Sequence, residues 1–76
     1  MKDLVEFLCG ELVDDPDAVQ VTESFDDRGP TYQVRVTDGE LGKLIGRGGR
    51  TAKAIRTVVR AAAGRQHLSA RVDFED

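Results

Sequence analysis

Residues 41–56, LGKLIGRGGRTAKAIR, bring together the groups of this chain best suited to hold an anion. Gly46, Gly48 and Gly49 fall within four positions, Lys43, Arg47, Arg50, Lys53 and Arg56 surround them, and no acid intervenes. The run after the glycines has helical spacing, so its first backbone amides lack intrahelical acceptors and the helix dipole adds partial positive charge at that end. A phosphodiester lying across the loop would meet amide donors, a dipole end and the flanking guanidinium groups of Arg47 and Arg50. The glycines also have a purely structural reading. Gly46 follows a short helix, where a left-handed backbone is common, and Gly49 precedes the next helix, where a missing side chain admits a second backbone.

Charge is unevenly spread. The net value is −3, yet residues 1–37 carry nine acidic against three basic residues, whereas residues 41–65 carry seven basic residues and no acid. A local positive face on an acidic body steers one polyanion to one place and discourages diffuse binding elsewhere.

Other chemistries find little support. A phosphate-binding P-loop requires Gly-Lys-Ser/Thr after a strand, but Arg50-Thr51 follows the glycines here. The spacing Gly46-Gly48-Gly49 does not fit the dinucleotide fingerprint, and the glycine-arginine run does not repeat as disordered tracts do. Cys9 is single and His67 has no nucleophile or carboxylate partner in the pattern, which points away from a disulfide, a zinc site and an enzyme, and toward a reduced, cytoplasmic setting. No cofactor is implied. The N-terminal MKDLVEFLCGEL mixes acids with apolar residues, unlike a signal or transit peptide, and no apolar run is long enough to span a membrane.

The elements that must position the loop follow from periodicity. Residues 3–13 read as a helix with Leu4, Val5, Leu8 and Leu12 inward, Asp3 as its cap, and Cys9 as a small buried residue beside them. Phe7 fits either core or a contact surface. Residues 18–25 and 31–36 read as an antiparallel hairpin joined by Asp26-Asp27-Arg28-Gly29-Pro30. Val19, Val21 and Phe25 face inward on the first strand, and Tyr32, Val34 and Val36 on the second. Thr37-Asp38-Gly39 breaks the strand and opens a short helix through Leu44-Ile45. Residues 50–63 form a helix with Ala52, Ile55, Val59 and Ala62 inward, Lys53, Arg56 and Arg60 on another face, and Gly64 as the C-terminal cap. A last strand, 69–74, turns Ala70, Val72 and Phe74 inward. The expected fold is therefore α+β in the order α-β-β-α-α-β. Its helices pack on one face of a three-stranded mixed sheet whose last two strands are parallel. With 76 residues and few aromatics, one modest core supplies roughly 3–5 kcal/mol, so association with a second chain is expected.

Ile45-Gly46-Arg47-Gly48-Gly49 and Ile55 resemble the I-G-x-x-G-x-x-x-x-x-I signature of KH RNA-binding domains, and the element order resembles the type II KH topology. The block 40–64 and the stretch 12–17 are most similar to the small single-KH bacterial family called KhpA. The resemblance implies one KH domain over residues 1–76, with an N-terminal helix-and-strand extension at 1–29 and a β-α-α-β core at 30–76. It implies about four nucleotides of single-stranded RNA clamped between the loop and the sheet edge. Gly46, Arg47, Gly48 and Gly49 would grip the sugar-phosphate backbone, and Lys43, Arg50 and Lys53 would add charge. Leu44, Ile45 and Ile55, with Val34 or Val36, would floor the bases. Core packing accounts for these apolar residues equally well. Gly48 replaces a side chain that could hold a phosphate, and no exposed aromatic is expected for base stacking, so the implied binding is weak and of low sequence preference. The implied role is an RNA chaperone or post-transcriptional regulator, as a homodimer or paired with a second KH protein of the Jag (KhpB) type. Two other classes stay open: a protein-interaction subunit with vestigial RNA contact, and a helix-turn-helix DNA binder. The latter is disfavoured because residues 50–53 offer no Asn or Gln to read adenine.

Overall fold

Alternating apolar and polar residues in PTYQVRV allow one strand face to be buried, and that strand becomes the centre of the sheet. In the computed structural model, which describes residues 1–37 and 39–75, the elements run α1 (Lys2–Gly10), β1 (Val19–Phe25), β2 (Pro30–Val36), α2 (Leu41–Ile45), α3 (Arg50–Gly64) and β3 (Arg71–Glu75). Single turns of 3-10 helix precede β1, at Pro16–Ala18, and α3, at Arg47–Gly49. Asp38, the middle of the expected strand break, lies outside the described residues. β1 pairs antiparallel with β2, placing Val21 opposite Val34, and β3 joins the other side of β2 in parallel, with Val72 beside Tyr32.

This is the expected α+β architecture, with order α-β-β-α-α-β and a mixed sheet. Val21, Tyr32, Val34, Val36, Ala70 and Val72 meet Val5, Cys9, Leu44, Ile55, Val59 and Ala63 in one core. The opposite sheet face carries Gln20, Thr22, Gln33, Arg35, Arg71 and Asp73, all exposed, so the helices cover one side only. Among the described residues no helix is long and apolar enough to cross a membrane.

Several local expectations shift. In α1 the buried pair is Val5 and Cys9, while Leu12, expected inward, is 43% exposed because the helix ends at Gly10 and Val13 takes the buried place. Met1, without a side-chain bond, holds the N-cap position expected of Asp3, which sits in the first turn. Phe25, expected inward, is 69% exposed: its face is the buried one, but it lies beside the hairpin turn. There the Asp26 carboxylate accepts the Arg28 and Gly29 amides at 2.8 and 3.2 Å, which lowers its pKa. Ala63 rather than Ala62 completes the inner stripe of α3. Gly64 is the last helical residue and not the left-handed cap. That conformation falls to His67, at φ 60°, with the Leu68 amide reaching the Ala63 carbonyl and the His67 amide reaching Gly64 in a Schellman arrangement.

Candidate nucleic-acid interface

The candidate loop begins where α2 stops. Gly46 donates its amide to the Gly42 carbonyl at 2.9 Å and adopts φ 76°, ψ 173°, a conformation open essentially to glycine alone. A Cβ on Gly46 would also collide with Thr51, coming within 2.7 Å of its Cβ and 2.9 Å of its backbone nitrogen. The close approach expected at Gly49 is therefore made at Gly46. Gly48 (φ 63°) and Gly49 (φ 77°) are both left-handed, and a Cβ on either would meet open space. Gly46 serves packing, while the other two shape an exposed turn.

That turn redistributes the free amides. Gly49 donates to the Gly46 carbonyl at 3.2 Å and Arg50 donates to the Arg47 carbonyl, so Arg50 does not offer the free helix-start amide expected of it. Among the described residues, the amides of Arg47 and Gly48 donate to no carbonyl. Arg47, Arg50 and Lys53 are exposed and make no ion pair among the described residues. Two open amides and three unneutralised cations can meet an anionic backbone with charge-assisted bonds.

Lys43 behaves differently. Its ammonium lies 2.5 Å from Asp14 and 2.6 Å from Glu40, so two carboxylates already hold it. Glu40, almost wholly buried, also accepts the Asp15 amide at 3.0 Å. The Lys43 hydrogen bond first, and then the Asp15 amide, hold the Glu40 carboxyl below the ordinary carboxylate range. Hydrogen bonds to Asp14 and Glu40 raise the Lys43 pKa in turn. The cluster ties the segment before β1 to the helix that ends in the loop.

Of the expected apolar floor, Leu44, Ile55, Val34 and Val36 are buried in the core, and Ile45 alone keeps part of its surface. Two aromatics are exposed, against the expectation of none: Phe7, 63% exposed on α1, and Phe25 on the strand farthest from β3. Tyr32 is fully buried, and burial, with the Glu23 carboxylate opposite, pushes its phenol well above the ordinary value.

Within the basic stripe of α3, Arg56 and Arg60 reach the edge strand β3 and the segment before it. Arg56 donates Nε–H to the Val72 carbonyl at 3.0 Å, and its guanidinium lies 5.1 Å from the Phe74 ring centroid. Beyond it, Arg60, Leu68, Ser69 and Ala70 line a recess of about 250 Å³. Helical spacing groups Arg56 with Lys53 and Arg60, but its tie to a strand 16 residues away carries no local signal. The opposite flank of α3 is mostly apolar: Leu8, Leu12, Thr51, Ala54, Ile55 and Val58 line an open groove of about 340 Å³ against α1, with Arg50 at its loop end. Sequence reasoning missed this groove: Val58, next to the buried Val59, is 46% exposed, and only the fold shows that α1 lies beside it.

Comparison with known proteins agrees with this geometry. The family model described as "KhpA/KhpB, KH domain" matches residues 2–74. The protein called "RNA-binding protein KhpA" in Halalkalibacterium halodurans is 46% identical over 76 residues, covering all of both chains. Its namesakes in Streptomyces coelicolor and Mycobacterium tuberculosis are 47% and 49% identical, covering 100% and 97% of this chain and 92% and 89% of theirs. Among solved structures, Aquifex aeolicus Era bound to GDP and aluminium fluoride superimposes with a TM-score of 0.72 at 15% identity. A structure of Era with MgGDPNP and nucleotides of 16S ribosomal RNA gives the same score and identity. Each match covers 97% of this chain but only 29% of Era, and shows a shared fold. Signature, topology and full-length similarity converge: the chain belongs to the KhpA/KhpB family of KH domains.

Proposed function

We propose that this chain binds single-stranded RNA, gripping the sugar-phosphate backbone with Gly46, Arg47, Gly48 and Gly49. The observation that carries the reading is the open left-handed turn at Gly48 and Gly49, with unpaired Arg47 and Gly48 amides between exposed Arg47 and Arg50. Lys53 adds charge one turn along α3, and Ile45 supplies the exposed part of the floor. Leu44 and Ile55 act from beneath, by fixing the two helices that hold the loop. Lys43 joins the RNA contact only by leaving its carboxylates. The relatives named RNA-binding proteins support the same assignment. The cellular role we infer is that of a non-enzymatic RNA chaperone or post-transcriptional regulator in the cytoplasm, with residues 1–29 extending a KH core at 30–76.

The test is fluorescence anisotropy with short single-stranded RNA. Wild type should bind with salt dependence, and engagement of about three phosphates gives a log–log slope near −2. Arg47→Asp combined with Gly48→Asp should abolish binding while circular dichroism stays unchanged, since Gly48 has open space before it and aspartate tolerates the left-handed region. Absence of salt-dependent binding by wild type, alone or with a KH partner, overturns the reading.

The apolar groove between α1 and α3 favours a companion reading, in which the chain works as a homodimer or with a second KH protein of the Jag (KhpB) type. Linked loops would then raise a weak single-site affinity. Were RNA contact vestigial, co-purification with that partner would survive the loop double variant while no RNA was retained.

A further inference from the structure

Among the described residues, Lys43 is the one cation of residues 41–65 that carboxylates hold. It sits on α2 three residues before Gly46. That is about 4.5 Å along the helix axis, within the sweep of its flexible four-carbon stem. Two acids face one base there, so the cluster turns net negative charge toward a phosphate approaching the loop.

The two carboxylates are not equivalent. The Glu40 side chain is 10% exposed and also accepts the Asp15 amide at 3.0 Å, so it is bound from two sides and stays with the fold. The Asp14 side chain is 88% exposed, and its bond to Lys43 is the only one it makes among the described residues. Its backbone is nonetheless placed. The next residue, Asp15, gives its amide to Glu40, and the Asp15 carboxylate accepts the Asp17 amide at 3.0 Å, pinning the turn before β1. Asp14 therefore delivers an anionic oxygen to Lys43 from 29 residues away. An ammonium has three donors, and Asp14 and Glu40 take two of them. Exposed ion pairs are weak, so a phosphate oxygen can exchange for Asp14 while Glu40 keeps its hold.

We propose that Asp14 is an affinity-limiting residue of the RNA site: it occupies Lys43 as a phosphate would, and RNA must displace it to recruit Lys43 to the Gly46–Gly49 clamp. This rests on the RNA-binding reading and adds to it an internal competitor, supplied by the segment before β1.

Anisotropy titrations of the full chain with a mixed-sequence single-stranded RNA decamer, over a range of salt, test it. Asp14→Asn keeps the shape of the side chain and removes its charge. It should raise affinity about fivefold and steepen the log–log salt slope by about 0.7, the increment for one further phosphate on a single strand. Asp17→Asn removes an equal charge from an exposed neighbour that makes no ion pair among the described residues. It should change affinity by less than about twofold and leave the slope alone, as screening of a distant charge requires. In a Lys43→Gln background Asp14→Asn should have no effect, because the competitor then has nothing to withhold. If circular dichroism shows Lys43→Gln unfolded, Glu40→Gln is added to remove the buried charge left unpaired, and the same comparison is made. No gain from Asp14→Asn, an equal gain from Asp17→Asn, or a gain that persists without Lys43 overturns the assignment with the RNA reading intact. Absence of salt-dependent binding by wild type and by Asp14→Asn overturns both.

Discussion

α3 has two flanks of opposite chemistry, divided by a buried stripe and meeting at Arg50. One carries Arg56 and Arg60 toward β3, with Lys53 in line with them by helical spacing; the other carries Thr51, Ala54 and Val58 toward Leu8 of α1 and Leu12 just after it. The inner stripe, Ala52, Ile55, Val59 and Ala63, uses only one side of the cylinder, so a helix on one face of a sheet has two sides left to assign. Here one suits a polyanion and the other an apolar surface. On the proposed reading the two flanks would receive RNA and a protein partner from different sides, meeting only at Arg50, which belongs to the loop and also lines the groove.

That division makes the flanks separable by mutation. The largest effect should come from reversing charge on the basic side: Lys53→Glu with Arg60→Glu should weaken short-RNA affinity by about a hundredfold or more in an anisotropy titration, with a shallower salt slope. Val58→Asp, on the apolar side, should leave that affinity within about threefold while light scattering reports loss of self-association. Equal RNA loss from both changes would break the distinction.

Next in size is the joint that serves both flanks. Thr51 packs against Gly46 and also lines the apolar groove. Gly46→Ala should cost about 2–3 kcal/mol in denaturant unfolding, combining a forbidden backbone conformation with a collision. Gly48→Ala, left-handed but open, should cost about 1 kcal/mol. Reversal of that order would mean that the loop, not its packing onto α3, limits stability.

Acid should have a smaller, directional effect through the support under the loop. The Glu40 carboxyl has its pKa lowered in the fold, so its contribution is present above the unfolded value, about 4.3, and is lost as pH falls through the folded value. Lys43 has the opposite sign: its raised pKa gives a contribution that is complete below its unfolded value and fades only as pH rises through the folded one. Thermal melts from pH 5 to pH 3 should therefore show falling stability, and Glu40→Gln should flatten that decline. The smallest effect belongs to the open sheet face, where the exposed Arg35–Glu75 pair at 3.4 Å should change stability by under about 0.5 kcal/mol when Arg35 becomes Gln.

What sequence reasoning reached, and what it missed, follows the same physical line. Helical spacing grouped Lys53, Arg56 and Arg60, strand alternation placed Tyr32, Val34 and Val36 inward, and the glycine-basic cluster marked the loop, because each is a local pattern. Phe25 obeyed its alternation and still emerged exposed, because burial depends on how far the helices extend over the sheet. Lys43 looked like one more loop cation, yet its partner Asp14 lies 29 residues earlier. Leu12 lost its inward place to Val13 because α1 stops at Gly10, and His67 took the left-handed role expected of Gly64 because the helical turn runs on past it. The KH signature marked a candidate loop, but the state of each charge depends on contacts made only in the folded chain.

The bond from Arg56 to the Val72 carbonyl also bears on solubility. A strand with an unpaired edge is a template on which a foreign strand can grow, and proteins commonly guard such edges with cations. β3 has only five residues, and one of its carbonyls is already taken by a guanidinium. Arg56 thereby interrupts the ladder along which a second β-segment would otherwise add.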